Sequence, residues 1–226
     1  MYLIRKCKYW ITLVFFFCFV KLVAQENVIP VKCDSVYYVT LLDSLKKSFS
    51  NCINIPEEFE LSFYTAISHY PELKEIHIDM KLKQMNFSMA ARPAKKLFAE
   101  RKKRGYRIYA NIKKNFKGIL PVKLSYNQKV GILGHELAHI LDYTNKSLCR
   151  MVGTGLGYMF IPYRRKLEAA TDLEAIKHGL GWQIYDYENY IMNLSEASEK
   201  YKNKKRKIYL NEKQIKEIII KYYPEY

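Results

Sequence analysis

The residues in this chain whose types and spacing are best suited to chemistry are two histidines and a glutamate. His135 and His139 are four residues apart, and Glu136 directly follows the first histidine. On an α-helix, residues four apart share a face, so both imidazoles can bind one metal ion. The carboxylate of Glu136 can then accept a proton from a water that the ion activates. The pattern predicts one Zn²⁺ per chain, with His135 and His139 as metal ligands and Glu136 as the catalytic base.

A catalytic zinc site needs a third protein ligand and keeps its fourth position open for water. Asn145 stands where an extended motif would have a third histidine, which excludes that subclass. Glu168 and Asp172 are the alternative, because they are four residues apart on a second predicted helix and can face the first. The competing interpretation makes them surface carboxylates beside the basic residues 164–166.

Together the two motifs resemble those of the gluzincin metallopeptidases, in which H-E-x-x-H is followed on a second helix by E-x-x-x-D. The similarity covers residues 106–179 and is closest to the small minigluzincin branch. It implies Glu168 as the third zinc ligand and Asp172 as the acceptor for the free N–H of a zinc-bound histidine. It also implies a zinc metalloendopeptidase whose partner is a peptide or protein substrate.

The resemblance implies two further features of the site. The first is an edge strand that binds the substrate backbone by strand addition. Residues 106–113 are the first candidate for this strand, and residues 118–124 are the second. The other feature is a donor to the oxyanion, for which His178, Tyr185 and Tyr187 are candidates that their spacing does not distinguish.

Hydrophobic periodicity predicts the elements that hold these residues. Period-2 alternation predicts strands at 75–82 and 106–112, and helical spacing predicts helices at 36–52 and 163–178 and in a C-terminal tail from 195 to 226. Ser125 and Gln128 form a capping-box pattern at the start of the zinc helix, which we expect to reach about Tyr143. A helix is also predicted from Pro93 to Arg104, with a glycine-rich connection at 152–157. We therefore expect an α+β, zincin-like fold: a small mixed sheet packed on the zinc helix, with a second ligand-bearing helix.

Residues 1–24 have the layout of a secretory signal peptide. Arg5, Lys6 and Lys8 precede an apolar stretch from Trp10 to Val20, and Ala24 is the expected cleavage point. This predicts a secreted or periplasmic protein with one domain at 25–226, and the alternative is an N-terminal membrane anchor. Three cysteines follow this segment, and export makes a Cys33–Cys52 disulfide conceivable.

The chain is strongly basic, with a formal charge of +16. Because the lysines and arginines are spread along the sequence, a solvated surface is favoured and no specific nucleic acid is expected. The charge does suit association with an envelope or membrane surface. Two competing hypotheses remain: a catalytically inactive zinc- or peptide-binding exported module, and a basic envelope or nucleic-acid-binding protein whose H-E-x-x-H pattern is accidental.

Overall fold

The α+β class expected from the sequence is confirmed. The computed structural model describes residues 31–95 and 103–224, in which helices pack on a four-stranded mixed sheet. The signal peptide predicted at 1–24 lies outside the described residues. From Val31 onward the chain folds as one compact unit.

The sheet has the strand order β1-β2-β4-β3. β2 is parallel to both β1 and β4, whereas β3 is antiparallel to β4 and forms one edge. Ile78, Met80 and Ile108 are buried at its centre because alternate side chains of β2 and β4 face the core. The strands are β1 (Cys52–Ile53), β2 (His77–Lys83), β3 (Met89–Lys95) and β4 (Gly105–Asn111).

The helix predicted to start at Pro93 is wrong in its described part, because Pro93 lies in strand β3. The remainder of that prediction, residues 96–102, lies outside the described residues. Pairing with β4 overrides the local signal, and an edge strand tolerates a proline that cannot donate to the ladder. Burial of Met89 and Ala91 adds the packing that stabilises this strand.

Neither of the two segments predicted to form the substrate-binding edge strand is an edge strand. Residues 106–111 belong to β4, which is paired on both sides and has no free edge. The second candidate, 118–124, contains a short 3₁₀ turn at Pro121–Lys123. The edge strand that precedes the zinc helix and lies beside it is β3, which borders the same cavity as Glu136.

The helix that carries His135, Glu136 and His139 begins as its sequence predicts. Ser125 is the N-cap, and its side chain and that of Gln128 form both bonds of the capping box. Apolar side chains along the helix are buried, which makes it the central element of the core. This helix is α3 (Tyr126–Thr144), and the helices that precede it are α1 (Ser35–Ser48) and α2 (Glu57–Ser68).

The glycine-rich segment 152–157 is helical, contrary to the prediction of a connection. It forms the second half of a helix that Ser147 caps through its side chain. Added Cβ atoms at Gly153 and Gly155 would meet open space, so the glycines relieve no crowding there. The glycine content of this segment therefore does not prevent it from forming a helix. The helices after the zinc helix are α4 (Leu148–Gly157), α5 (Ile161–Ala175), α6 (Gly181–Asn189), α7 (Glu199–Arg206) and α8 (Glu212–Tyr222).

The ligand helix predicted at 163–178 corresponds to α5, which continues through a π-helical turn at Ile176–Leu180. Gly179 has a φ of 80° in that turn, a left-handed conformation that glycine adopts without strain. The predicted C-terminal tail forms α7 and α8, and Ile215 and Ile219 bury one face of α8. No helix among the described residues is long and apolar enough to cross a bilayer.

The Cys33–Cys52 disulfide is not formed, because both thiols are free. Cys52 is buried in β1. The backbone of Cys33 is held elsewhere, since its N–H donates to the side chain of Asn127 on α3 at 2.9 Å. The two cysteines are therefore anchored to different elements.

Helices α3 and α6 approach each other closely at Gly131. Any side chain at this position should therefore destabilise the fold. A Cβ at Gly131 would lie 2.2 Å from the backbone oxygen of Gln183. We expect Gly131→Ala to lower the free energy of unfolding by about 1–3 kcal/mol, measured by urea denaturation. Gly153→Ala is the matched control, because a Cβ there would meet no described residue within 4 Å apart from its chain neighbours and the backbone of its own helix. Equal unfolding midpoints for the two variants would contradict this account of the helix packing.

Candidate metal centre

Three side chains from two helices converge at one point. His135 and His139 project from α3, and Glu168 projects from α5. The Oε2 atom of Glu168 is 3.0 Å from His135 Nε2 and 3.3 Å from His139 Nε2. One ligand atom from each residue lies within 4.8 Å of the others, which brings two imidazole nitrogens and a carboxylate oxygen together.

Asp172 orients the first histidine. Its Oδ1 is 2.7 Å from His135 Nδ1, so the Nδ1–H donates to the carboxylate. That bond fixes the ring so that Nε2 faces the cluster, where a metal ion would take the place of its proton. Asp172 is buried, one helical turn after Glu168 on α5. The resemblance to gluzincins implied this contact.

Thr171 orients the second histidine, a contact that the sequence reasoning missed. Its hydroxyl donates to the Leu167 carbonyl at 2.9 Å and lies 3.3 Å from His139 Nδ1. Because the hydroxyl proton is already used, the oxygen accepts from the Nδ1–H, and this bond turns His139 Nε2 toward Glu168. Thr171 lies inside the E-x-x-x-D segment, so its position was visible although its role was not.

The charges of these groups are strongly coupled. Burial lowers the pKa of His135, but hydrogen bonds to Asp172 and Glu168 outweigh it and hold that pKa well above its ordinary value. Burial likewise raises the pKa of Glu168, yet hydrogen bonds to His135 and His139 bring it well below the usual range. The carboxylate is thus stabilised as an anion in a site where it is only 1% exposed.

Glu136 lies in the same cavity but outside the three-residue cluster. Its Oε2 accepts the backbone N–H of Ala91 in β3 at 2.5 Å. Burial raises the pKa of Glu136, partly opposed by the positive charge of the two histidines. A buried carboxyl with a raised pKa beside three side chains that could bind a metal ion has the properties of a general base.

Tyr158, at the C-terminal end of α4, supports the third member of the cluster. Its hydroxyl donates a short hydrogen bond to Glu168 Oε1, the oxygen that does not face the histidines. Burial and the negative charge of Glu168 raise the pKa of this tyrosine, so it stays protonated as a donor. No sequence spacing links Tyr158 to the motifs, and the contact was therefore missed.

The cluster opens into a cleft of about 680 Å³. Strand β3 forms one wall, the α3 and α5 site residues form the floor, and the C-terminal helices close the far side. A buried ion pair holds that far side in place, with Lys205 Nζ of α7 2.7 Å from Glu188 Oε2 of α6. The same ammonium lies over the rings of Tyr187 and Tyr209, at 4.9 and 4.3 Å from their centroids.

The three predicted oxyanion donors lie in different places. Tyr187 lines the cleft, but the described residues that line it do not include His178 or Tyr185. His178 stacks on Tyr70 with ring centroids 4.3 Å apart, and its Nδ1 lies 2.8 Å from the carbonyl oxygen of Glu174. Tyr185 packs edge-on against Trp182.

Tyr209 is a cleft residue that the sequence reasoning did not consider. Its ring centroid is 5.9 Å from that of His135, and its hydroxyl makes no hydrogen bond with any described residue. Burial and the charge of Glu168 raise its pKa well above the ordinary value, so it remains a proton donor. Tyr209 follows α7 in a loop, and no motif marks it.

The donor set fits a divalent metal ion. Both histidines direct Nε2 toward the same carboxylate oxygen, where a bound ion would replace the hydrogen-bonding protons, and each Nδ1 is already hydrogen-bonded to a neighbour. Imidazole and carboxylate ligands suit zinc and other first-row transition metals. The arrangement can bind such an ion with three protein ligands while a buried carboxyl lies alongside. No protein-family model, curated protein or solved structure matches this chain.

Asp172 provides a test of this site that does not depend on any activity. We expect Asp172→Asn to weaken Zn²⁺ or Co²⁺ affinity about 10- to 100-fold, because a neutral amide raises the basicity of His135 less than a carboxylate does. Competition with a chromophoric chelator measures the affinity. Asp142→Asn is the control, since Asp142 lies on the same helix as the histidines but pairs with Lys146 at 2.5 Å. Equal affinities for the two variants would exclude Asp172 from the site.

Proposed function

We propose that this chain is a zinc-dependent metalloendopeptidase with a zincin-like fold of the gluzincin type. One observation carries the proposal: His135, His139 and Glu168 converge from two helices while Glu136 lies beside them in the same cleft. A purely structural zinc site has four protein ligands and no need of an adjacent base. The combination of three ligands with a buried carboxyl therefore favours hydrolysis over a structural role.

His135, His139 and Glu168 would hold the zinc ion, with Asp172, Thr171 and Tyr158 fixing their orientation. When bound, zinc supplies Lewis-acid chemistry and lowers the pKa of water toward about 7. Proton transfer, substrate binding and stabilisation of the oxyanion depend on the side chains and backbone of the chain.

Glu136 acts as the general base and afterwards as the proton donor to the leaving amine. Its hydrogen bond from Ala91 holds the carboxyl through Oε2, which leaves Oε1 to accept a proton. The raised pKa brings the carboxyl closer to the range in which it can both take up and release a proton near neutral pH.

Strand β3 binds the peptide substrate in an extended conformation. It is an edge strand along the cleft, and the Ala91 N–H points away from its partner β4. Because backbone direction alternates along an antiparallel strand, the backbone groups of Met89 and Ala91 face the cleft side. A substrate strand can pair with the N–H of Met89 and with the carbonyl groups of Met89 and Ala91, because the Ala91 N–H is already used by Glu136. Pro93 limits this pairing because it has no N–H to donate.

Tyr209 is the residue that we propose as donor to the oxyanion. Its protonated side chain lines the cleft with its ring centroid 5.9 Å from that of His135, and its hydroxyl makes no hydrogen bond with any described residue. Tyr209→Phe should lower kcat about 100-fold, with little change in KM or zinc content, because the hydroxyl acts in the transition state. Steady-state kinetics with a fluorogenic peptide measure this effect. Tyr185→Phe serves as the control, and equal kcat values would remove Tyr209 from the mechanism.

The experiment that tests the function combines metal content with hydrolysis in the purified chain. We expect about one zinc per chain by elemental analysis, together with cleavage of an unfolded protein such as labelled casein. Glu168→Ala should lose zinc because it removes a ligand, whereas Glu174→Ala on the same helix should keep it. Full zinc retention in Glu168→Ala would remove Glu168 from the ligand set.

Glu136→Gln separates binding from catalysis in the same assay. Zinc should stay bound, and hydrolysis should fall at least about 100-fold because the base is lost. Zinc binding without hydrolysis in the unaltered chain would favour the inactive zinc- or peptide-binding module. Absence of zinc in metal-replete protein would favour the basic-protein hypothesis.

The place of action that we propose is outside the cytoplasm. The proposal rests on the basic and apolar pattern of residues 1–24, which is typical of a secretory signal peptide. An uncleaved segment would instead tether the same domain to the membrane at its N-terminus.

A further inference from the structure

The turn between α4 and α5 exposes a cluster of large apolar side chains, here called the hairpin tip. Their exposed fractions range from 54% to 68%, although side chains of this type are usually buried. They also lie close together, because residues 152 and 156 are one helical turn apart and 159–161 are consecutive. The hairpin tip consists of Val152, Leu156, Met159, Phe160 and Ile161.

This exposure is built into the local structure. The Phe160 N–H bonds to the Gly157 carbonyl, and the Arg164 N–H bonds to the Phe160 carbonyl, each at 2.9 Å. A Cβ at Gly157 would lie 2.8 Å from the ring of Tyr163, so the two helices approach closely at the turn. The backbone therefore holds the apolar side chains outward.

The surface around the hairpin tip is positive. Arg150, Arg165 and Lys166 are exposed beside it, and Arg164 lies over the Tyr158 ring at 4.6 Å. Between residues 143 and 173 the only acidic side chains are those of Glu168 and Asp172, both of which are buried in the metal centre. The outer surface of the hairpin thus combines apolar and basic groups with no exposed carboxylate.

We propose that the hairpin tip docks on an anionic lipid bilayer. Its apolar side chains would enter the boundary between headgroups and acyl chains, while the neighbouring basic residues contact anionic headgroups. A protein partner would need a matching apolar pocket, but a bilayer offers both apolar depth and negative charge without one. The basic residues beside the hairpin tip complement a negatively charged surface, and this charge complementarity favours an anionic bilayer over a protein partner.

Docking of this kind also affects the metal centre, a consequence that rests on the proposed function. Tyr158 lies within the hairpin and donates its hydroxyl to Glu168. Thr154, Gly155 and Tyr158 of the hairpin also line the cleft, so the cleft lies next to the docked surface, and peptide segments at a bilayer surface become the substrate class. The docking itself requires no hydrolysis and can fail or succeed independently of it.

The test measures insertion at the hairpin itself, because the apolar segment at residues 1–24 can bind vesicles in the full chain. Phe160→Trp in a Trp10→Phe/Trp182→Phe background places the single indole of the chain at the hairpin tip. Phosphatidylglycerol vesicles that contain brominated acyl chains should quench it roughly threefold more than the same substitution at Tyr222, an exposed residue of α8. Vesicles of phosphatidylcholine alone should give the two indoles equal quenching.

A second set of variants tests the charge requirement. Arg150→Gln/Arg165→Gln/Lys166→Gln should raise the lipid concentration for half-maximal quenching about 100-fold, since each basic residue contributes about fivefold to binding. Lys207→Gln/Lys213→Gln/Lys221→Gln removes the same charge from another exposed surface and should have a much smaller effect. Arg164 is left unchanged because it contacts Tyr158 in the cleft.

Three outcomes would overturn the proposal. The first is equal quenching at residues 160 and 222 in anionic vesicles, and the second is equal loss of binding from both sets of charge variants. The third is dimerisation in solution that Met159→Ser/Phe160→Ser abolishes, without preferential quenching at the hairpin tip, which would assign the surface to a second copy of the chain. Zinc content, measured in every variant, distinguishes these failures from failure of the metal centre.

Discussion

The burial of Glu168 between two imidazoles is the interaction on which the rest of this structure depends. A carboxylate with almost no exposure to water is costly unless it is paired and hydrogen-bonded. Here one oxygen faces His135 and His139, and the other accepts the hydroxyl of Tyr158. These contacts join α3, α4 and α5, so the three helices share one polar centre within an apolar core. A metal ion would replace the direct contacts of the carboxylate with the histidines by coordination and keep the same three helices together.

Helix α3 can hold its histidines in place because it is packed on both sides. Close approach to α6 at Gly131 leaves no room for adjustment there, and β3 contacts the opposite side through the bond from Ala91 to Glu136. The two histidines and Glu136 therefore lie on a rigid element, while the cleft walls come from segments far away in the sequence. Lys205 and Glu188 fix the last of these walls, which brings Tyr209 close to His135.

The hairpin links the buried centre to the outer surface. Its inner side supplies Tyr158 to the ligand Glu168, and its outer side presents apolar and basic groups to solvent. The acidic residues between positions 143 and 173 are both buried, where they contact the two histidines. The hairpin therefore has buried carboxylates on its inner side and basic side chains on its outer side. The proposed catalytic and docking roles are connected because both depend on this short helix pair.

The sequence by itself determined the elements whose signals are local. The H-E-x-x-H spacing, the capping box at Ser125 and the Glu168–Asp172 pair depend only on helical periodicity and on chemistry within a few residues. Only the tertiary structure decided the identity of β3 as the edge strand and the positions of Thr171 and Tyr209. A strand with weak local preference forms because its neighbour pairs with it, and a cleft residue is defined by elements that meet after folding. Such contacts join residues far apart in the chain, and no local pattern encodes them.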